Sequence, residues 1–127
     1  MASLHMCFAH GQKNMLDSLE RQIQITTNDT TKVNLLNSLG YYFTFVRQDS
    51  SIFYLAQSIE LAEKIDYPNG RQLGYVNLAI VLNTASNYPK ALEMALKSLK
   101  IAEQLTTNRQ SSMAECYAHL AHANWRN

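Results

Sequence analysis

Cys116, His119 and His122 recur at three-residue intervals, with Glu115 beside the cysteine. On a helix this spacing sets a thiolate and two imidazoles about one turn apart, the donor types that Zn²⁺ accepts. Three-residue steps drift round a helix, however, and no fourth ligand stands nearby. The group therefore reads as core filler and surface, and neither a metal nor a cofactor is expected. His5, Met6, Cys7 and His10 make a second, weaker group near the amino terminus. The chain carries no Gly-rich phosphate loop, no HExxH zinc helix and no serine on a nucleophile elbow. Its acidic residues fall mostly on outer helix faces, where charge is solvated. No convergent pocket of ionisable groups is implied, and no enzymatic activity is expected.

The elements that carry these residues follow from composition and period. The chain has 127 residues, enough for one domain, and is 46% hydrophobic, so it can bury a core. Lys and Arg number 11 against 10 Asp and Glu, a net charge of +1. No basic field for nucleic-acid phosphates results. No apolar run approaches the ~20 residues that span a bilayer. Cys7 and Cys116 are the only cysteines and define no disulfide framework. Residues 1–12 read as a tag, a clipped signal-peptide remnant or a disordered start, ahead of a folded region over 13–127.

Self-similarity dominates the remainder. Ser58-Ile59-Glu60-Leu61-Ala62-Glu63 returns as Ser98-Leu99-Lys100-Ile101-Ala102-Glu103, 40 positions later. Leu39-Gly40 returns as Leu78-Ala79 and again as Leu120-Ala121. A period near 40 with small residues among large apolar ones implies stacked helix pairs. The apolar spacing predicts helices over about 14–25, 31–46, 51–65, 71–84, 88–105 and from 110 onward. Gly40 marks a close approach inside a helix, because glycine there costs roughly 1 kcal/mol against alanine and needs a packing reason. Asp29 or Thr30, then Asp49 or Ser50, are the expected caps. Asp66-Tyr67-Pro68-Asn69-Gly70 is the expected break between the pairs. The predicted inner faces are Val33, Leu36, Leu39 and Phe43; Ile52, Leu55, Ala56, Ile59 and Ala62; Tyr75, Leu78, Ala79 and Leu82; and Ala91, Met94, Ala95, Leu99 and Ala102.

These positions resemble the tetratricopeptide repeat. Leu36, Leu39-Gly40 and Phe43 match its first helix, with Ser51, Leu55 and Ser58 on the second. Tyr75, Leu78-Ala79 and Leu82 match again, and Tyr88-Pro89-Lys90-Ala91-Leu92-Glu93 is the nearest stretch to the motif. Ser51 departs from the family's usual alanine, and the closing proline is missing. The resemblance implies an all-α helix-turn-helix solenoid of about six helices, with repeats near 31–66 and 70–106 and a partial one over 108–127. Asn28 to Asn37, Asp49-Ser50-Ser51 and Ala62 to Ile65 also resemble the amino-terminal sensory region of bacterial membrane-bound regulators, whose outputs are histidine kinases or DNA-binding modules.

By that resemblance the function is protein–protein interaction within a bacterial signalling protein, on the extracytoplasmic (periplasmic) side of a membrane, with a cytoplasmic place as the alternative. The family binds peptides on the concave face of its first helices. Carried over by position, that face holds Asn34, Asn37, Tyr41, Thr44 and Phe45, then Val76, Ile80 and Asn83, then His122 and Trp125. The family's carboxylate clamp needs Lys and Arg there, and these positions supply none, so capture of an acidic chain terminus is disfavoured. A homodimer through the terminal half-repeat, around Leu120 and Trp125, is the other expected partnership. The alternative is a structural spacer or dimerisation element without a ligand. No nucleic acid and no membrane insertion of this segment are expected.

Overall fold

The computed structural model describes residues 2–105 and residues 117, 118, 120–122 and 124, with side chains from residue 11 onward. Five helices have defined bounds: α1 Ala2–Ile25, α2 Asp29–Phe43, α3 Gln48–Lys64, α4 Pro68–Thr84 and α5 Tyr88–Gln104. Residues 117, 118, 120–122 and 124 are also helical, and the described residues contain no strand. Consecutive helices pack on one another, and α2 also touches α4 across the stack. This is the all-α solenoid expected of the period. It forms because each helix is apolar on two sides and small where its neighbour crosses.

Several boundaries differ from the sequence reading: α2 ends at Phe43 and not near 46, and α3 begins at Gln48 and not near 51. α1 begins at Ala2, ahead of the expected Asn14. Pro68, Asn69 and Gly70 lie inside α4, with Pro68 in its first turn, so the break shrinks to Ile65–Tyr67. Proline there loses nothing, since the first helical N–H groups have no partner in the helix. The caps also shift. Asn28 precedes α2, and its Oδ1 accepts a hydrogen bond from the Thr31 N–H at 3.0 Å. Arg47 and Asn87 precede α3 and α5 with no side-chain capping bond.

The turns after α3 and α4 share one geometry. Asp66 and Ser86 are left-handed, at φ 53° and 63°. The Tyr67 N–H bonds the Ala62 carbonyl at 2.8 Å, and the Asn87 N–H bonds the Leu82 carbonyl at 2.8 Å. These bonds satisfy carbonyls that a helix end leaves open, in the arrangement that glycine usually serves.

Glycine sets the helix spacing. A Cβ on Gly40 would lie 2.5 Å from Cγ of Leu55, so α3 presses a leucine onto the α2 backbone. A Cβ on Gly70 would lie 2.6 Å from Cγ1 of Val33, and one on Gly74 2.6 Å from Cγ1 of Ile59. α4 thus meets both helices of the preceding pair through bare backbone. Buried serines do the rest. Ser51 Oγ donates to the Gly40 carbonyl at 2.6 Å. Ser58 Oγ donates to the Val33 carbonyl at 3.2 Å, and Ser98 Oγ, one period on, to the Gln72 carbonyl at 3.3 Å. The inner face of α3 is therefore Ser51, Leu55, Ser58, Ile59 and Ala62. Ile52 and Ala56, expected inside, are exposed. In the second pair Leu82, Ala91 and Met94 form a cluster against which Tyr75, Leu78 and Ala79 pack.

Aromatic rings join the first pair on the side of α1. Phe43 stacks on Tyr54 at 5.8 Å between centroids, and Tyr42 and Phe53 meet these rings edge-on. The Tyr54 hydroxyl donates to Glu20 of α1 at 3.4 Å. Burial pushes the Tyr54 phenol above its ordinary 10.0, and the nearby Glu20 carboxylate adds to the effect.

Three outcomes follow. Gly40→Ala gains helix propensity but collides with Leu55, and a net loss of about 1–3 kcal/mol is expected in urea unfolding. Asp66→Gly and Ser86→Gly relieve a left-handed L-residue, and each is expected to add about 0.5–1 kcal/mol in the same assay. For Tyr54, a raised folded-state pKa means that stability is fully present below the unfolded value near 10.0 and is lost as pH rises through the folded value. Thermal melts across the alkaline range should show that decline, and Tyr54→Phe should make it shallower.

Candidate functional site

Each first helix has three faces, and two are spent on packing. α4 turns Gly70, Gly74, Asn77 and Val81 inward as one buried stripe, with Gly70 and Gly74 against the first pair. Tyr75, Leu78, Ala79 and Leu82 face the cluster shared with α5. The remaining stripe carries Leu73, Val76, Ile80 and Asn83; Leu73 is exposed and the others are half-buried. On α2, Val33, Leu36, Leu39 and Gly40 are buried, and the stripe left over carries Asn34, Ser38 and Tyr41, all exposed. Phe45 extends this row in the turn beyond Phe43, where α2 ends, and is 70% exposed. The two rows lie on neighbouring first helices and define the candidate surface.

Its chemistry is neutral throughout. α2 contributes amide, hydroxyl and aromatic groups, and α4 contributes aliphatic ones and the Asn83 amide. Ser38 Oγ is occupied, donating to the Asn34 carbonyl at 3.0 Å. The Tyr67 hydroxyl donates to Asn34 Oδ1 at 3.2 Å, which fixes the carboxamide and leaves Nδ2 without a partner among the described residues. No pair of described residues brings opposite charges to this surface: Arg71 meets Glu63 at 4.0 Å, and Lys97 meets Glu93 at 3.4 Å on α5.

Two expected surface residues are buried instead. Asn37 is 1% exposed, and its Nδ2 donates across the seam to the Gly70 carbonyl at 3.1 Å. Thr44 is fully buried, and its hydroxyl donates to the Gly40 carbonyl at 3.4 Å. Asn37 ties α2 to α4, and Thr44 closes the end of α2 on itself; neither lies on the open row. The reason is the turn of α2: Asn37 and Thr44 sit seven residues apart on the side that α4 and α3 cover. Ser38, Tyr67 and Leu73 were not singled out in the sequence. Leu73 had a signal, since it opens an i, i+3, i+7 row with Val76 and Ile80. Tyr67 had none, because its reach to Asn34 depends on the fold.

His122 is exposed and helical. Trp125, Cys116 and His119 lie outside the described residues, as do the side chains of His5, Met6, Cys7 and His10. Among the described residues no three His, Cys, Asp or Glu side chains group as a metal site would require. No helix among them is long and apolar enough to cross a membrane.

The difference between the two asparagines is measurable. Asn37→Ala removes the bond from α2 to the Gly70 carbonyl and opens a void, and should cost about 1–3 kcal/mol in urea unfolding. Asn34→Ala, on the open row, should stay within about 0.5 kcal/mol of the parent.

Comparison with known proteins gives one family. The family model described as the SusR N-terminal TPR domain matches residues 5–125. No curated protein matches, and no solved structure matches.

Proposed function

The chain belongs to the family of the SusR N-terminal TPR domain, and from that premise we propose that it is a non-catalytic module that binds a polypeptide partner along the rows of α2 and α4. Tetratricopeptide domains are generally protein-interaction modules, which gives the class of activity. The observation that carries the site is the pair of rows left open after packing is complete: Asn34, Tyr41 and Phe45 beside Leu73, Val76 and Ile80. Tyr41, Phe45 and Leu73 are exposed, more than packing of the stack requires. Exposed aromatic and aliphatic groups side by side on neighbouring helices are the material of binding hot spots. The family's description as an amino-terminal domain supports a place in a longer protein; the sensory, extracytoplasmic setting is proposed from the sequence resemblance alone.

A second reading is self-association. Phe45, Val46 and Phe53 are 70%, 65% and 59% exposed around the α2–α3 turn, more apolar surface than a helix tip needs.

The test is panning of a random twelve-residue peptide library on the immobilised chain, with Tyr41→Ala as the comparison. Enrichment that Tyr41→Ala abolishes supports the groove. Failure of any peptide to enrich removes it. Light scattering over a concentration series then decides the second reading: a mass that rises with concentration and stays at the monomer value in Phe45→Ser supports self-association, and a constant monomer mass excludes it.

A further inference from the structure

The proposal here rests on the groove reading above and names the ligand's chemistry. From the charge and hydrogen-bond pattern of the two rows we infer that the groove takes an extended, uncharged polypeptide segment, with aliphatic side chains along one edge and open backbone carbonyls along the other.

Three observations lead to it. First, charge is absent. The α2 row reads Asn34, Ser38, Tyr41 and Phe45, and the α4 row Leu73, Val76, Ile80, Asn83 and Thr84, with no Lys, Arg, Asp or Glu in either. A charged ligand group laid there would lose water and meet no counter-charge, which costs several kcal/mol when the group is enclosed. Second, the rows differ in kind. Leu73, Val76 and Ile80 form an unbroken aliphatic strip that rewards Leu, Ile or Val on the facing edge of a ligand. Third, the opposite row offers an oriented donor. Tyr67 holds Asn34 Oδ1 at 3.2 Å, so Nδ2 is presented with no partner among the described residues. Water meets this exposed donor in the free chain, and a ligand carbonyl can take the water's place. Helices consume their own carbonyls, whereas an extended strand offers one at every residue. An extended ligand also alternates its side chains, and so presents aliphatic groups to one row only.

The experiment is calorimetric titration with three acetylated, amidated twelve-residue peptides. Each alternates Leu or Ile with a second residue, which is Asn or Ser in one peptide, Glu in the next and Lys in the third. The neutral peptide is expected to bind about 10-fold or more tightly than either charged one. Its Kd should change by less than about 2-fold between roughly 50 and 500 mM NaCl, because no ion pair is made. Leu73→Lys should weaken it about 10-fold and Asn34→Ala about 3-fold, with both variants unchanged in urea unfolding. Tighter binding of the Glu or Lys peptide, or a steep salt dependence, overturns the inference. So does failure of the neutral peptide to bind while panning still enriches peptides that Tyr41→Ala releases. In that case the groove reading stands and only the ligand chemistry falls.

Discussion

The whole stack depends on one steric fact: three glycines in helices present bare backbone to a neighbour's side chain. Leu55 occupies the space of a missing Cβ on Gly40, the Tyr67 ring and Val33 that on Gly70, and Ile59 that on Gly74. Helices that approach this closely cannot also place a methyl group between them. Gly40 fixes the distance within the first pair, and Gly70 and Gly74 fix the distance between pairs. The second pair has Ala79 where the first has Gly40, and Ala91 where it has Ser51. The seam between pairs is thus set as closely as the pair itself.

Close approach creates the next requirement. Backbones brought together present carbonyls with a lone pair still open, and hydroxyls small enough to fit can use it. Ser51, Ser58 and Ser98 do so toward Gly40, Val33 and Gln72. Asn37 does the same toward Gly70. The departure from the family's alanine at Ser51 is a consequence of this geometry, since its hydroxyl adds a bond between α2 and α3 at no cost in volume.

Much of this was legible in the residues. The period of 40, the close approach at Gly40 and most of the buried row of α2 follow from spacing alone, because period and size are local properties. The break at Pro68–Gly70 was misplaced because proline and glycine signal both turns and helix starts, and only packing against Val33 decides between them. Ile52 and Ser51 exchanged places for a similar reason: hydrophobicity favours burying isoleucine, but the space left beside Gly40 admits a serine. On the candidate surface, Asn34, Tyr41 and Phe45 were legible from the repeat register. Asn37 and Thr44 were not separable from them, since whether a polar residue near a helix edge faces out or across depends on how the neighbouring helix is rotated. Tyr67 was invisible because its partner lies 33 residues away.

The equal turns at Asp66 and Ser86 have a mechanical consequence. α3, α4 and α5 each hold 17 residues and are joined by three-residue links of one hydrogen-bonded form. Such links carry no slack, so they cannot stretch or swing open independently. The step from α3 to α4 and the step from α4 to α5 are therefore made by one local geometry, and the direction of the stack is set by how often that turn is repeated.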